Sequence, residues 1–366
     1  MTPGTIVFIH PSDELYGADR MLLEFQAALP EELRSRTEFW LPTDLPHGSA
    51  PLCEELERRG GNVRHLDLPI LRRADRTPRG LARLARRSLH LFRELRRRRP
   101  ELVYCTTSAA FLGAPVARAA RVPQVIGHVQ ELWSPSDRHV LGLLARATHR
   151  LLAISEPVEQ RLPEHLRSRT TVVLNATPEP PGLVDTRERS GPLRFLVASR
   201  WNGWKGHRTL LAAWDLLEEP GQLVVLGGPP ASGESTDVPG LVGELRRPES
   251  VEVAGETDDP HAYFEAADVV VVPSDDPEPF GLVAVEAFAR GRAVVGSDAG
   301  GLADIITDGV DGWLYPARDA RALAAVLGRL TRERVTAAGV TARRTYLDRF
   351  TTARYARDWL RAVDFS

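Results

Sequence analysis

Twelve short apolar runs recur through this chain, and most are separated by longer stretches with helical spacing. In the first half they are TIVFIH (5–10), TEFWL (37–41), ELVYC (101–105), QVIGHV (124–129), RLLAIS (150–155) and TVVLN (171–175). In the second half they are LRFLVAS (193–199), GQLVVLGG (221–228), VEVAG (251–255), VVVVPS (269–274), RAVVGSD (292–298) and GWLYP (312–316). All are rich in Val, Ile or Leu and lack a polar alternate face, the pattern of strands in a parallel sheet covered on both sides. Helical segments are expected at 19–29, 50–60, 79–99, 206–218, 260–267, 281–290 and 319–328. The alternation specifies an α/β chain of two Rossmann-like, doubly wound parallel-sheet domains facing across a cleft.

A length of 366 residues exceeds what one hydrophobic core serves. The proline-rich, charged stretch PEPPGLVDTRERSGP (178–192) reads as a linker. The expected division is therefore 1–180, 181–345 and a tail, 346–366. That tail continues a pattern of Tyr346, Phe350, Tyr355 and Trp359 at helical spacing and is expected to pack back on the first domain.

Charge is uneven. Residues 1–175 carry 26 Arg against 20 Asp and Glu, whereas 176–366 carry 21 Arg and Lys against 29 Asp and Glu. Such asymmetry suits an anionic partner for the first half. Cys53 and Cys105 lie far apart, without metal-ligand company in the sequence, and suggest a reducing compartment. No apolar run approaches 18 residues, so the expectation is a cytoplasmic protein. Neither domain has G-x-G-x-x-G after its first strand, which counts against a nicotinamide dehydrogenase, and there is no Walker A motif.

In α/β sheets ligands sit beyond the carboxyl ends of strands, so residues there carry the chemistry. SRWNGWKG (199–206) follows LRFLVAS and contains the chain's one lysine, Lys205. A guanidinium at Arg200 and a compact ammonium at Lys205 suit a diphosphate, with Gly203 and Gly206 allowing close backbone approach. PSDDPEPFGLVAVEAFARG (273–291) ends a strand and opens a helix near Gly281, whose free amides favour an anion or hydroxyl. Glu278 precedes that terminus and Glu286 lies eight residues further on. A pair so spaced spans about 10 Å, enough to bracket the hexose and ribose of a sugar nucleotide.

The block EPFGLVAVEAFARGRAVVGSDAGGLADIITDGVDGWLYP (278–316) is similar to the signature of retaining glycosyltransferases of family 4. SRWNGWKG, LVVLGG (223–228) and AADVVVVPS (266–274) extend the likeness, and YGADR (16–20), AISE (153–156) and VLNATP (173–178) carry it more loosely into the first half. The resemblance implies the two-domain GT-B fold and a nucleotide-diphosphate sugar as co-substrate. By position, Glu278 would touch the donor sugar, and the amides of Phe280, Gly281 and Leu282 would hold sugar or phosphate. Glu286 would bind the ribose and Arg200 and Lys205 the diphosphate, with Gly228 on the donor side and the Gly17 backbone approaching from the first domain. His128, in GHVQE, takes the place of the family histidine near the reacting carbon, with Glu131 toward the acceptor. Base contacts are expected from loops near 228–235 and 254–258. The sequence departs from the family at Tyr16 and Ala176, which replace glycines, and at Asp19 and Asp304, which replace glutamates.

The implied reaction moves a sugar to a hydroxyl acceptor, with retention, in the synthesis of a surface glycan, glycolipid or glycosylated metabolite. SDDP (274–277) lacks D-x-D spacing, so no metal cofactor is expected. A sugar-nucleotide epimerase of similar build and a non-catalytic sugar-nucleotide-binding subunit remain as alternatives. The basic segment 77–99 places Leu81, Leu84, Ala85, Leu91, Phe92 and Leu95 on one face and arginines on the remainder. It reads either as a sheet-covering helix with a solvated face or as a contact for anionic membrane, which would suit a lipid-linked acceptor. Without interleaved aromatics on the basic face, nucleic acid is not an expected partner.

Overall fold

A computed structural model describes residues 4–15, 17–44, 50–230, 234–257 and 259–364. Tyr16 and parts of the two expected base-contact loops (231–233 and 258) lie outside these residues. The chain divides into two compact units, Met1–Ala176 with Thr352–Ser366, and Thr177–Thr351.

The first unit is built on β1 (Ile6–Ile9), β2 (Thr37–Pro42), β3 (Asn62–Leu66), β4 (Leu102–Cys105), β5 (Gln124–Val129), β6 (Arg150–Ala153) and β7 (Thr170–Val172). They form one sheet in the order β3-β2-β1-β4-β5-β6-β7, with every pair parallel. The second unit contains β8 (Arg194–Ala198), β9 (Gln222–Leu226), β10 (Val251–Gly255), β11 (Val269–Val272), β12 (Ala293–Ser297) and β13 (Gly312–Tyr315). Its sheet runs β10-β9-β8-β11-β12-β13, again parallel throughout. Both units are doubly wound α/β domains. In each, the strand order reverses beside the first strand, between β1 and β4 and between β8 and β11. Crevices for ligands open at the carboxyl ends of such strand pairs.

Three expectations need correction. β3 has no counterpart among the apolar runs: its sequence NVRHL lies at the sheet edge, half-exposed, so no hydrophobic pattern marks it. The stretch 178–192 is docked on the second unit rather than bridging as a linker, because arginines hold its backbone and acids. Arg292 Nη2 donates to the Val184 carbonyl at 3.1 Å, Arg343 pairs with Glu179, and Arg189 reaches Asp268 at 3.1 Å. The boundary thus falls at Ala176–Thr177 rather than at 180. The aromatic tail is not one element either. Tyr346 and Phe350 belong to the second unit, where the Tyr346 hydroxyl donates to the Thr177 carbonyl at 3.0 Å. Tyr355 and Trp359, on the helix Thr352–Val363, belong to the first. There the Trp359 ring stands edge-on to Phe25 at 4.0 Å, within a cluster that includes Phe8 and Tyr104.

The basic helix Pro78–Arg98 is capped by the Thr77 hydroxyl, which accepts from the Gly80 amide at 3.0 Å. It buries Gly80, Leu84, Arg87, Leu91 and Leu95, while Leu81 and Ala85 face outward, contrary to the single apolar face expected. Arg87 takes an inner position because two carboxylates meet it, Asp44 at 2.9 Å and Asp67 at 2.5 Å. Buried charge is tolerated only when so paired.

Candidate active site

In the second unit the loop after β8 is docked backbone-to-backbone on the loop after β11. The Asp275 amide donates to the Trp204 carbonyl at 2.8 Å. Gly206 has φ +74°, and a Cβ there would lie 1.9 Å from the Pro273 carbonyl oxygen, so only glycine permits this approach. The turn Gly203–Lys205 delivers the Lys205 ammonium 4.1 Å above the Trp204 ring and 2.7 Å from Glu278 Oε1. The Ser274 hydroxyl donates to the same carboxylate oxygen. Lys205 and Glu278, 73 residues apart, thus meet at the point where the strand order reverses. Glu278 is 5% exposed, so its charge depends on these two partners.

The backbone of Glu278 is fixed from behind. The Gly301 amide donates to its carbonyl at 2.8 Å, and Cβ atoms on Gly300 and Gly301 would strike the Glu278 and Phe280 carbonyl oxygens at 2.3 and 2.2 Å. Gly281, at φ +118°, then starts the helix Leu282–Ala289 without a side-chain cap. The first amides of a helix have no acceptor within it, which leaves the Phe280–Leu282 region as a set of donors beside Glu278. Glu286 lies half-buried within this helix between the buried Val285 and Ala287. Arg200 follows β8 and is half-buried; Gly228 follows β9, its carbonyl accepting from the Trp201 amide at 2.8 Å. Gly228 also packs so closely on Glu256 that a Cβ would come within 2.7 Å of its side chain.

Sequence reasoning did not single out Ser274, Trp204, Gly300 or His207. His207 is buried at the start of the helix after Lys205, with Nε2 at 3.4 Å from the Ser199 hydroxyl. Burial, reinforced by the Lys205 charge, lowers its pKa to about 4.

In the first unit, Gly17 opens the helix Gly17–Ala28. Beneath it, His10 at the end of β1 binds Asp19 through Nε2 at 2.7 Å and the Thr106 hydroxyl through Nδ1 at 2.7 Å. The Ser12 hydroxyl donates to the same Asp19 oxygen. Asp19 thus ties the loop after β1 to the first turn of the helix. Glu131, just past β5, accepts from the Ser108 hydroxyl at 2.7 Å, and the Trp133 indole donates to Ser108 at 2.8 Å. Gln130, also overlooked in the sequence, donates through Nε2 to the Thr106 carbonyl at 2.9 Å.

His128 departs from its expected setting. β5 matches the expected run QVIGHV, and within it the His128 ring turns inside the unit, 2% exposed against Tyr104. The Trp359 indole, which can only donate, binds the Tyr104 oxygen at 3.1 Å; the Tyr104 hydroxyl therefore donates to His128 Nδ1 at 2.9 Å. Its Nε2 is buried and has no hydrogen-bond partner among the described residues. Burial lowers its pKa to about 3.

These two histidines give a pH prediction. Both have folded pKa values below the unfolded value of about 6.5. Their stabilising effect is complete above the unfolded pKa and is lost as the pH falls through about 6 toward 4. Thermal melting followed from about pH 7 to 4.5 should show Tm falling, and His207→Gln should flatten part of the slope.

The model of the family "Glycosyl transferases group 1" matches residues 192–333. This span contains Arg200, Lys205, Gly228, Glu278, Phe280, Gly281, Leu282 and Glu286. Residues 192–333 are a group 1 glycosyl transferase domain. Over 154 residues, 39% of this chain, the sequence is 42% identical to a D-inositol 3-phosphate glycosyltransferase of Xylanimonas cellulosilytica, matching 36% of that protein. It is 38% identical over 130 residues to a phosphatidyl-myo-inositol mannosyltransferase of Mycobacterium leprae, covering 34% of each. The chain spans about a third of the length of the curated relatives it matches. Among solved structures, Anabaena Alr3699/HepE in complex with UDP-glucose superposes with a TM-score of 0.79 at 20% identity, covering 98% of this chain and 99% of that one. The lipopolysaccharide outer core galactosyltransferase WaaB gives 0.78 at 18% identity, with 98% and 99% covered. The group 1 domain and the unit preceding it thus share the GT-B fold with these proteins.

Proposed function

We propose that the protein transfers a glycosyl group from a nucleotide-diphosphate sugar to a hydroxyl acceptor, with retention of configuration and without a metal ion. The Lys205–Glu278 pair carries this reading: a cation and a sugar-binding carboxylate meet beside an uncapped helix terminus at the reversal of strand order. The bond between the anomeric carbon and the diphosphate oxygen breaks with its electron pair going to the diphosphate. Arg200, Lys205 and the Phe280–Leu282 amides stabilise that growing charge from fixed positions. The acceptor oxygen bonds to the anomeric carbon on the face that the diphosphate leaves, and its proton passes to the departing phosphate oxygen. Glu278 accepts from the sugar hydroxyls and Glu286 from the ribose. The UDP-glucose complex of the Anabaena protein is consistent with such a donor.

Thermal-shift measurement against a panel of sugar nucleotides tests the donor site. One or more nucleotides should raise Tm, and Glu286→Ala should weaken that response about tenfold in concentration, as for one or two lost hydrogen bonds. A flat response across the panel would remove the donor assignment. Transfer should persist in excess chelator, and donor turnover without acceptor to an isomeric sugar nucleotide would instead favour an epimerase.

The acceptor side of this proposal is a membrane-presented hydroxyl. Leu81 and Leu89 on the basic helix, and Val140 and Leu143 on the helix Pro135–Ala145, are 48–66% exposed. Arg76, just before the first helix, lies 3.6 Å from Asp137 of the second, which brings the starts of the two helices together. With Arg79, Arg93 and Arg96 also exposed, this surface suits insertion of apolar side chains beneath anionic headgroups. The protein should sediment with phosphatidylglycerol vesicles and not with pure phosphatidylcholine. Leu81→Asp with Leu143→Asp should lower vesicle affinity about tenfold or more.

A further inference from the structure

We infer that the first unit holds a zinc site made by Asp13, Cys53 and His65. Their ligand atoms, a carboxylate oxygen, a thiol sulfur and an imidazole nitrogen, lie within 4.8 Å of one another. They come from three elements: the loop after β1, the helix Pro51–Arg58 and the end of β3. Separations of 40 and 52 residues from Asp13 hide this grouping from any spacing motif.

The surroundings are those of a cation site. The Cys53 amide donates to Asp13 Oδ1 at 2.8 Å, which orients the carboxylate and leaves Oδ2 facing His65. His65 Nε2 is 3.0 Å from that oxygen, so a single proton sits where a metal ion would bridge the two groups. Orientation of a ligating carboxylate by a backbone amide is a common supporting contact in metal sites. Glu54 and Glu57 stand one and four residues after Cys53 on the same helix, so carboxylates flank the thiol in a unit rich in arginine.

Nitrogen, sulfur and oxygen together select a borderline-soft ion, zinc, over magnesium or calcium. Zinc bond lengths of about 2.0–2.3 Å bring tetrahedral ligand atoms to about 3.5 Å from one another. Asp13 and His65 already stand 3.0 Å apart, and His65, whose side chain is 40% exposed, is the ligand with room to adjust, while Asp13 and Cys53 are buried. Binding releases the thiol proton and shifts the His65 proton from Nε2 to Nδ1, so that the ring ligates as a neutral imidazole, and water fills the fourth position from the exposed His65 side. The ion ties the loop after β1 to β3 and takes no part in the transfer proposed above, so the two readings can fail separately.

Cobalt(II) reports the site directly. Titrating the metal-free full-length protein should give a thiolate-to-cobalt charge-transfer band that saturates at one equivalent and is bleached by zinc. Cys53→Ser should abolish the band. His65→Gln, at an exposed position that perturbs folding little, should weaken binding about tenfold or more. Zinc should raise Tm of the wild type, raise that of His65→Gln less at equal concentration, and leave that of Cys53→Ser unchanged. Absence of the band in the intact protein, or its survival in Cys53→Ser, would overturn the assignment.

Discussion

Lys205→Ala is expected to lower kcat about 100- to 1,000-fold, the loss typical of removing one fixed group that meets charge developing in a transition state. The substitution also takes the Lys205 ammonium from the buried Glu278 carboxylate, while the Ser274 hydroxyl stays on the same oxygen. Lys205→Arg should not restore turnover: the ammonium is a compact point charge fitted 4.1 Å above the Trp204 ring, and a planar fork on a longer stem cannot occupy the same place. Steady-state kinetics with a radiolabelled donor checks both outcomes. Wild-type kcat in Lys205→Ala would remove the residue from the reaction.

Gly206→Ala should be at least as damaging, through shape rather than charge. The left-handed backbone costs an alanine about 1–2 kcal/mol, and its methyl would meet the Pro273 carbonyl at 1.9 Å, so the two loops must separate. With strain of about 1–3 kcal/mol added, we expect a stability loss of about 3 kcal/mol or more in the second unit. The separation also withdraws Lys205 from Glu278, so donor binding should disappear even at temperatures where the variant remains folded. Circular dichroism melts together with donor-induced thermal shifts separate the two effects. A variant that melts normally and binds donor normally would show that the loop contact is dispensable.

The sheets were legible because buried parallel strands leave continuous apolar runs, such as VVVVPS and TIVFIH. β3 was not legible, because an edge strand needs no apolar face, and NVRHL has none. In the second unit, Arg200, Lys205, Glu278 and Glu286 could be selected because strand ends and a helix start are marked in the sequence. What the sequence could not supply was the pairing. Nothing in residue order says that Lys205 and Ser274 share one carboxylate oxygen, or that Gly300 and Gly301 clasp the Glu278 backbone. His128 shows a different limit. Within QVIGHV a histidine reads first as structural, and only the resemblance assigned it to the reacting carbon; its ring is buried against Tyr104 in the aromatic core. Asp13, Cys53 and His65 were invisible for the same reason as Ser274, since their neighbourhood is made by the fold.

The helix Thr352–Val363 completes the first unit although it is encoded after the whole of the second. During synthesis, residues up to Ala176 leave the ribosome long before Trp359 exists to cover Phe25 and donate to Tyr104. An early domain normally settles while the next is still being made. Here the earlier one cannot close over Phe25 and Tyr104 until the helix Thr352–Val363 has been made.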